Sequence, residues 1–141
     1  MNLIKIIIGA IPLLLLNIGV LLIPMVETTT CTQGNDDAWL ATLTVYTPLL
    51  IILLLFSFIA LPNAKALKWL TLPQFILIPY SMYISCRYFI GVTFQGNHPC
   101  TICTDVNFND YPYSFWTNYW APVQLIVLSI CAYTIFLFWK R

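Results

Sequence analysis

The sequence predicts an all-α membrane protein with four transmembrane helices in an antiparallel bundle. Of its 141 residues, 60% are hydrophobic and only 8% are charged, whereas a soluble domain carries about a quarter charged residues. So few charges cannot cover a surface that faces water, and most of the surface must therefore face lipid. The second observation is a set of four apolar runs, each close to the ~20 residues that a helix needs to cross the hydrocarbon core.

The apolar runs lack the alternation of a barrel strand, so we predict helices for all four. They cover about 3–25, 39–61, 69–90 and 121–139 of a single domain that spans 1–141. Loops 26–38 and 91–120 then lie on one side of the membrane. Lys5 followed by an apolar stretch is also typical of a signal peptide. The length of that run and the lack of a small-x-small cleavage motif favour a retained helix.

The charged residues predict the orientation. The first set is basic and lies at the two termini and in the short connection "PNAKALK": Lys5, Lys65, Lys68, Lys140 and Arg141. The second set is acidic and lies in the other two loops: Glu27, Asp36, Asp37, Asp105 and Asp110. Basic loops stay in the cytoplasm, so both termini should be inside. Without an Asn-x-Ser/Thr sequon, we place the chain in a bacterial inner membrane, with its outer loops in the periplasm or extracellular.

Asn17 and Arg87 are polar residues within the predicted helices. Asn17 lies deep in the first helix, where we expect it to hydrogen-bond to another helix. Arg87 lies near the outer end of the third helix. It could extend to the lipid headgroups, or it could form an ion pair with Asp105, Asp110 or Glu27 that ties the long loop to the helices.

The stretch "NHPCTICTD" contains the only Cys-x-x-Cys of the chain, Cys100 and Cys103. Cys31 and Cys86 also lie at or near the outer side, whereas Cys131 falls within the fourth helix, where we expect a packing role. Thiols outside the cytoplasm tend to oxidise. We predict a structural disulfide from Cys31 to Cys100 or Cys103, which would clasp the two outer loops and stabilise by roughly 4 kcal/mol.

The same cysteines allow two other interpretations. Together with His98 they could supply the four ligands of a zinc ion, but only one paired motif is present, so we predict neither a metal nor another cofactor. The size, the topology and the Cys-x-x-Cys also resemble the DsbB and vitamin K epoxide reductase group. That resemblance implies a quinone-linked thiol–disulfide oxidoreductase that uses Cys100 and Cys103, with Cys31 and Cys86 as its second cysteine pair.

An aromatic stretch, "YPYSFWTNYW", precedes the fourth helix. It could be an interfacial belt at headgroup level or a docking surface, since tyrosine and tryptophan dominate interaction hot spots. We predict a partner-binding set made of this stretch and the nearby arginine: Arg87, Tyr113, Phe115, Trp116, Tyr119 and Trp120.

The function predicted from these features is protein binding rather than catalysis. In size, hydrophobicity and topology the chain resembles small polytopic immunity proteins, which implies an inhibitor of a membrane-acting toxin. An accessory subunit of a membrane complex is the alternative within the same class. The expected partners are lipid and a protein within or at the outer face of the membrane. A homo-oligomer is left open, and no basic patch indicates nucleic acid.

Overall fold

The structure is a computed structural model that describes residues 3–26, 31, 37–113 and 115–140. Within these ranges every regular element is helical. Four helices are long and apolar enough to cross a membrane: α1 (Leu3–Leu22), α2 (Ala38–Thr71), α3 (Gln74–Phe94) and α5 (Thr117–Lys140). A short helix, α4 (Pro99–Cys103), lies between α3 and α5. The prediction of four helices able to span a membrane is confirmed.

The helix boundaries differ from the predicted ones at 3-10 turns, at a proline and at a π-helical turn. Helix α2 continues through the predicted connection, which forms tight 3-10 turns at Leu61–Asn63 and Lys68–Thr71 around the short helix Ala64–Leu67. Helix α3 starts directly after Pro73, because a missing N–H costs nothing at a helix start. It then extends beyond the predicted end through a π-helical turn, Phe89–Phe94.

The surfaces of the long helices are apolar. Ile76 is 77% exposed, Ile126 is 63% exposed and Leu55 is 61% exposed. In water such side chains would form patches far larger than monomeric soluble proteins tolerate. The exposed faces of α2, α3 and α5 therefore agree with the low charge of the sequence, and both indicate contact with lipid.

Polar side chains link the long helices inside this apolar shell. Asn17 Nδ2 donates a hydrogen bond of 2.8 Å to the carbonyl of Leu70, and Gln74 Nε2 donates to Asn17 Oδ1. Gln124 Nε2 donates to Thr47 Oγ1 at 3.0 Å. Hydrogen bonds of this kind hold helices together in lipid. The expectation that Asn17 bonds to another helix is confirmed.

Two buried apolar clusters distinguish the two ends of the long helices. We call one end the cysteine end, where Trp39, Tyr88 and Trp120 pack with ring centroids 4.8 to 5.5 Å apart. At the other, the lysine end, Leu13 packs in a smaller cluster with Phe138. The lysine end is named for Lys65 and Lys68, which lie beside Ala64 and Leu67 of this cluster. The candidate site belongs to the cysteine end.

Candidate functional site

Three cysteine sulfurs meet at the cysteine end. Cys31 and Cys100 form a disulfide, with their Cα atoms 5.3 Å apart. The sulfur of Cys103 lies 2.7 Å from that of Cys31, and all three sulfurs lie within 4.8 Å of one another. The predicted link from Cys31 to the Cys-x-x-Cys is thus confirmed, with Cys100 as the bonded residue. The structure adds a third sulfur in contact with that disulfide.

Helix α4 brings the sulfurs of Cys100 and Cys103 together. Residues three apart in a helix lie on the same face, so a helical Cys-x-x-Cys directs both side chains to one side. Pro99 occupies the first helical position, and His98 precedes it as the N-cap. Proline suits this position because its fixed φ is already helical. The short helix, which the sequence analysis placed in an outer loop, therefore determines the geometry of the site.

Side chains around α4 fix its position. The Nδ1 atom of His98 accepts a hydrogen bond of 3.1 Å from the backbone N–H of Cys100. The Oδ1 atom of Asn109 accepts one of 2.8 Å from the backbone N–H of His98. At the other end, Thr104 Oγ1 donates to the carbonyl of Cys100 at 2.7 Å. These bonds satisfy backbone groups that so short a helix cannot pair internally.

His98, which the sequence offered as a fourth zinc ligand, is buried beside α4. It is 7% exposed, and its ring packs against Tyr113 and Phe108 with centroids 5.0 and 5.8 Å apart. Because its Nδ1 atom accepts from Cys100, the imidazole serves as a cap for α4. Among the described residues, the group with metal-ligand spacing contains the three cysteines and not His98.

Arg87 connects α3 to α4. Its guanidinium donates a hydrogen bond to the carbonyl of Ile102 and lies 5.9 Å from the centroid of the Tyr83 ring. The side chain thus ties the long loop to a helix, but through a backbone carbonyl. Within the described ranges neither Asp105 nor Asp110 forms an ion pair with it. Glu27, the third predicted partner, lies outside the described residues.

Ile102 also packs directly on the backbone of α3. A Cβ atom added at Gly91 would collide with the end of the Ile102 side chain, which would have to shift to make room. An open cleft of about 290 Å³ lies beside the contact and is lined by polar and apolar groups: Arg87, Ile90, Gly91, Gln95, Asn97 and Ile102.

The predicted partner-binding aromatics separate into exposed and buried residues. Phe115 is 63% exposed, Trp116 is 45% exposed and Tyr119 is 46% exposed. Their rings are neighbours, with Phe115 4.8 Å from Tyr119 and 6.0 Å from Trp116, centroid to centroid. Trp120 is fully buried, so its side chain is not part of that surface. Tyr113 is half-buried against His98.

The other cysteines lie apart from the cluster. Cys86 is an exposed free thiol on α3, and Cys131 is a buried free thiol in α5. The cysteine pair that the resemblance implied, Cys31 with Cys86, is replaced by Cys31 with Cys100. Cys131 packs in the main apolar cluster, which agrees with the packing role expected for it.

Buried polar atoms at the cysteine end were missed by the sequence analysis. Ser85 Oγ, Thr117 Oγ1 and Trp120 Nε1 are buried without a hydrogen-bond partner in the described part of the chain. Ser85 precedes Tyr88 by three residues, and Thr117 precedes Trp120 by three. This spacing places each pair on one helix face. A small hydroxyl residue followed three positions later by a large aromatic residue occurs in both places, and this repeated pattern was the sequence signal for these buried polar atoms.

Comparison with known proteins gives no family for the chain. No protein-family model matches the sequence, and neither curated proteins nor solved structures gave a match.

Proposed function

We propose that the chain is a membrane-anchored thiol–disulfide exchange protein whose Cys31–Cys100 disulfide reacts with protein thiols. One observation carries the proposal: the sulfur of a third cysteine, Cys103, lies 2.7 Å from that of Cys31. A disulfide that only clasps two loops needs no third thiol in contact with it. A thiolate beside a disulfide is the arrangement from which exchange proceeds.

The charge distribution supports an outward orientation of this site. Lys65 and Lys68 lie at the lysine end, beside Ala64 and Leu67 of its buried cluster. By the positive-inside rule, that end faces the cytoplasm. The cysteine end then faces the compartment in which disulfides persist. We propose an antiparallel four-helix bundle in a bacterial inner membrane, with both termini inside.

The first chemical step is an exchange within the chain. The Cys103 thiol loses its proton, and the thiolate attacks the sulfur of Cys31. The Cys31–Cys103 bond forms as the Cys31–Cys100 bond breaks, and Cys100 leaves as a thiolate that takes up a proton. No electrons enter or leave. Cys100 is 7% exposed whereas Cys103 is half-buried, so the step moves the disulfide to more accessible sulfurs.

The second step transfers the disulfide to a protein with two thiols. One thiolate of that protein attacks Cys103 and forms a mixed disulfide, which releases Cys31 as a thiol. The second thiolate attacks its neighbour in the mixed disulfide and releases Cys103. The partner loses two electrons and two protons, and the chain gains both. Repeated turnover then requires a two-electron acceptor, for which the resemblance to the DsbB and vitamin K epoxide reductase group implies a membrane quinone.

One apolar crevice of the described residues does not offer a headgroup site for a quinone. An apolar crevice of about 350 Å³ lies between α1 and α2 and includes Leu22, Val45 and Leu49 among its walls. Its two polar side chains already donate within the chain, Thr42 to the carbonyl of Ala38 and Tyr46 to that of Gly19. No hydroxyl donor remains there for a quinone carbonyl, so we route no step through this crevice.

A single-turnover experiment tests the exchange proposal without any acceptor. The oxidised full-length protein in detergent is mixed with a reduced dithiol peptide, and thiols are alkylated and counted by mass spectrometry at increasing times. We expect one peptide disulfide per chain. Cys103→Ser should slow the reaction at least tenfold. The control variant Cys86→Ser, which removes a thiol outside the cluster, should react like the wild type. Equal rates for Cys103→Ser and the wild type would refute the role of the third thiol.

A second proposal concerns protein binding, because Phe115, Trp116 and Tyr119 form an exposed aromatic surface at the cysteine end. This surface suits an immunity-type inhibitor of a membrane-acting toxin or an accessory subunit of a membrane complex. A photocrosslinker is placed at Trp116 and, as a control, at Tyr133, which is 58% exposed on α5. An adduct with one discrete protein at Trp116 alone supports docking, and adducts with lipid alone at both positions refute it. Protection from a toxin would then distinguish an immunity protein from a subunit.

A further inference from the structure

We propose that Cys31, Cys100 and Cys103, once the disulfide is reduced, form a three-thiolate site for a soft d10 metal ion such as Zn²⁺. This inference depends on the geometry of the cluster and not on the exchange activity. All three sulfurs lie within 4.8 Å of one another, and they come from two separate segments of the chain. Three converging thiolates are a donor set that selects soft ions over Mg²⁺ or Ca²⁺.

The spacing of the sulfurs fits a metal better after reduction than before it. Zinc–sulfur bonds of about 2.3 Å at tetrahedral angles separate two ligand sulfurs by roughly 3.8 Å. In the oxidised chain Cys31 and Cys100 are joined by a disulfide, and an S–S bond of about 2.05 Å is shorter than that. Reduction breaks the bond, and the two sulfurs of Cys31 and Cys100 then move apart to van der Waals contact. The reduced cluster therefore approaches the spacing that the ion requires.

The surroundings hold these ligands in place before a metal binds. Cys100 and Cys103 lie on one face of α4, and they have the Cys-x-x-Cys spacing that recurs in structural zinc sites. Helix α4 is fixed by the His98 cap and by the hydrogen bond from Arg87 to Ile102. A preformed ligand set reduces the ordering cost of binding. Binding exchanges three thiol protons for one divalent ion and leaves one tetrahedral position for water.

His98 does not complete the site. Its Nδ1 atom accepts from the backbone N–H of Cys100 at 3.1 Å, and the ring packs against Tyr113 and Phe108. The site thus differs from the set of three cysteines and one histidine that the sequence suggested. It resembles an open site, in which three protein ligands leave a fourth position to solvent.

Cadmium binding to the reduced protein tests the inference. Full-length protein in detergent is reduced with a phosphine, freed of reductant without oxygen, and titrated with Cd²⁺ while the sulfur-to-cadmium charge-transfer absorbance is recorded. We expect one Cd²⁺ per reduced chain and no such absorbance from the oxidised chain. Loss of a single ligand, as in Cys100→Ser or Cys103→Ser, should weaken binding more than about 100-fold, because even indirect support of a ligand is worth 10–100-fold.

Matched controls keep the test decisive. A variant with both Cys86→Ser and Cys131→Ser removes the two thiols outside the cluster and should bind Cd²⁺ as the wild type does. Absence of charge-transfer absorbance from this variant when reduced would overturn the proposal even if the ligand variants fail to fold. So would wild-type affinity in Cys100→Ser. The exchange assay uses the metal-free oxidised chain, and the cadmium titration uses the reduced chain. Each proposal can therefore fail while the other holds.

Discussion

Replacing Cys100 should leave the chain cross-linked, whereas replacing Cys31 should not. In Cys100→Ser, the Cys103 sulfur is 2.7 Å from Cys31 and can form the bond instead. The native link joins residues 69 apart, and the alternative joins residues 72 apart. In the chain-entropy model each contributes about 4 kcal/mol, and the two differ by less than about 0.1 kcal/mol.

The Cys31→Ser variant retains only Cys100 and Cys103 in the cluster. A bond between these two closes a loop of only three residues, which is worth about 1.6 kcal/mol in the same model, so this variant should lose about 3 kcal/mol of stability with that bond and about 4 kcal/mol without it. The Cys100→Ser variant should keep most of that stability. This contrast separates a cluster of three interchangeable sulfurs from a single structural disulfide.

The assay combines disulfide mapping with thermal unfolding in detergent. Purified variants are thiol-blocked without reductant, digested and analysed by mass spectrometry, and their melting temperatures are measured with and without reductant. Cys86→Ser, which leaves the cluster intact, is the control. Free thiols at both Cys31 and Cys103 in the Cys100→Ser variant would show that these sulfurs are not adjacent, and the reasoning would be refuted.

Three further predictions concern the surroundings of the cluster. Trp120→Ala should lower the free energy of unfolding by about 3–5 kcal/mol because the ring is fully buried. Trp116→Ala, at a ring that is 45% exposed, should lower it by less than about 1 kcal/mol. Thermal unfolding measures both. Arg87→Met removes a charged hydrogen bond to α4, so it should cost about 1.5–3 kcal/mol and speed alkylation of the reduced cluster. A double-mutant cycle with Asn17→Leu and Gln74→Leu should yield a coupling of about 0.6–1.7 kcal/mol in detergent, and a coupling near zero would mean that the two amides act independently.

The four long helices could be predicted because the apolar runs reflect the thickness of the bilayer, which constrains length directly. Their ends could not, because they depend on local chemistry. Residues 62–68 were predicted as a connection. In the structure they are helical, with the short helix Ala64–Leu67 between two 3-10 turns. Proline at position 73 was a usable signal for the start of α3.

The buried position of Trp120 was missed for a related reason. The fourth helix was predicted to begin at 121, which left this residue among the exposed aromatics of the loop. In the structure the helix starts at Thr117, and Trp120 then falls on a buried stripe with Gln124 and Val127. The helical period would have placed it inside once the start was known. Aromatic composition alone does not separate an interfacial residue from a core residue.

The sequence predicted the residues of the cysteine site but not their arrangement. It left the choice between Cys100 and Cys103 open, because the loop was treated as irregular. A helical Cys-x-x-Cys puts both sulfurs on one face, so Cys31 can approach both. The His98–Pro99 pair was the local signal for such a helix, since proline is favoured at its first position.

With Cys103 in contact, the disulfide of the proposed exchange can change its partner while Cys31 stays cross-linked to α4. In the native link and in the Cys31–Cys103 link, Cys31 stays bonded, and the separations of 69 and 72 residues make the two cross-links nearly equal in chain entropy. The disulfide can therefore move from a buried to a more exposed sulfur without opening the clasp. A link between Cys100 and Cys103 would open it. A partner that leaves the chain in that third state would also separate Cys31 from α4, so the same mapping experiment that locates the disulfide reports whether Cys31 stays linked to α4.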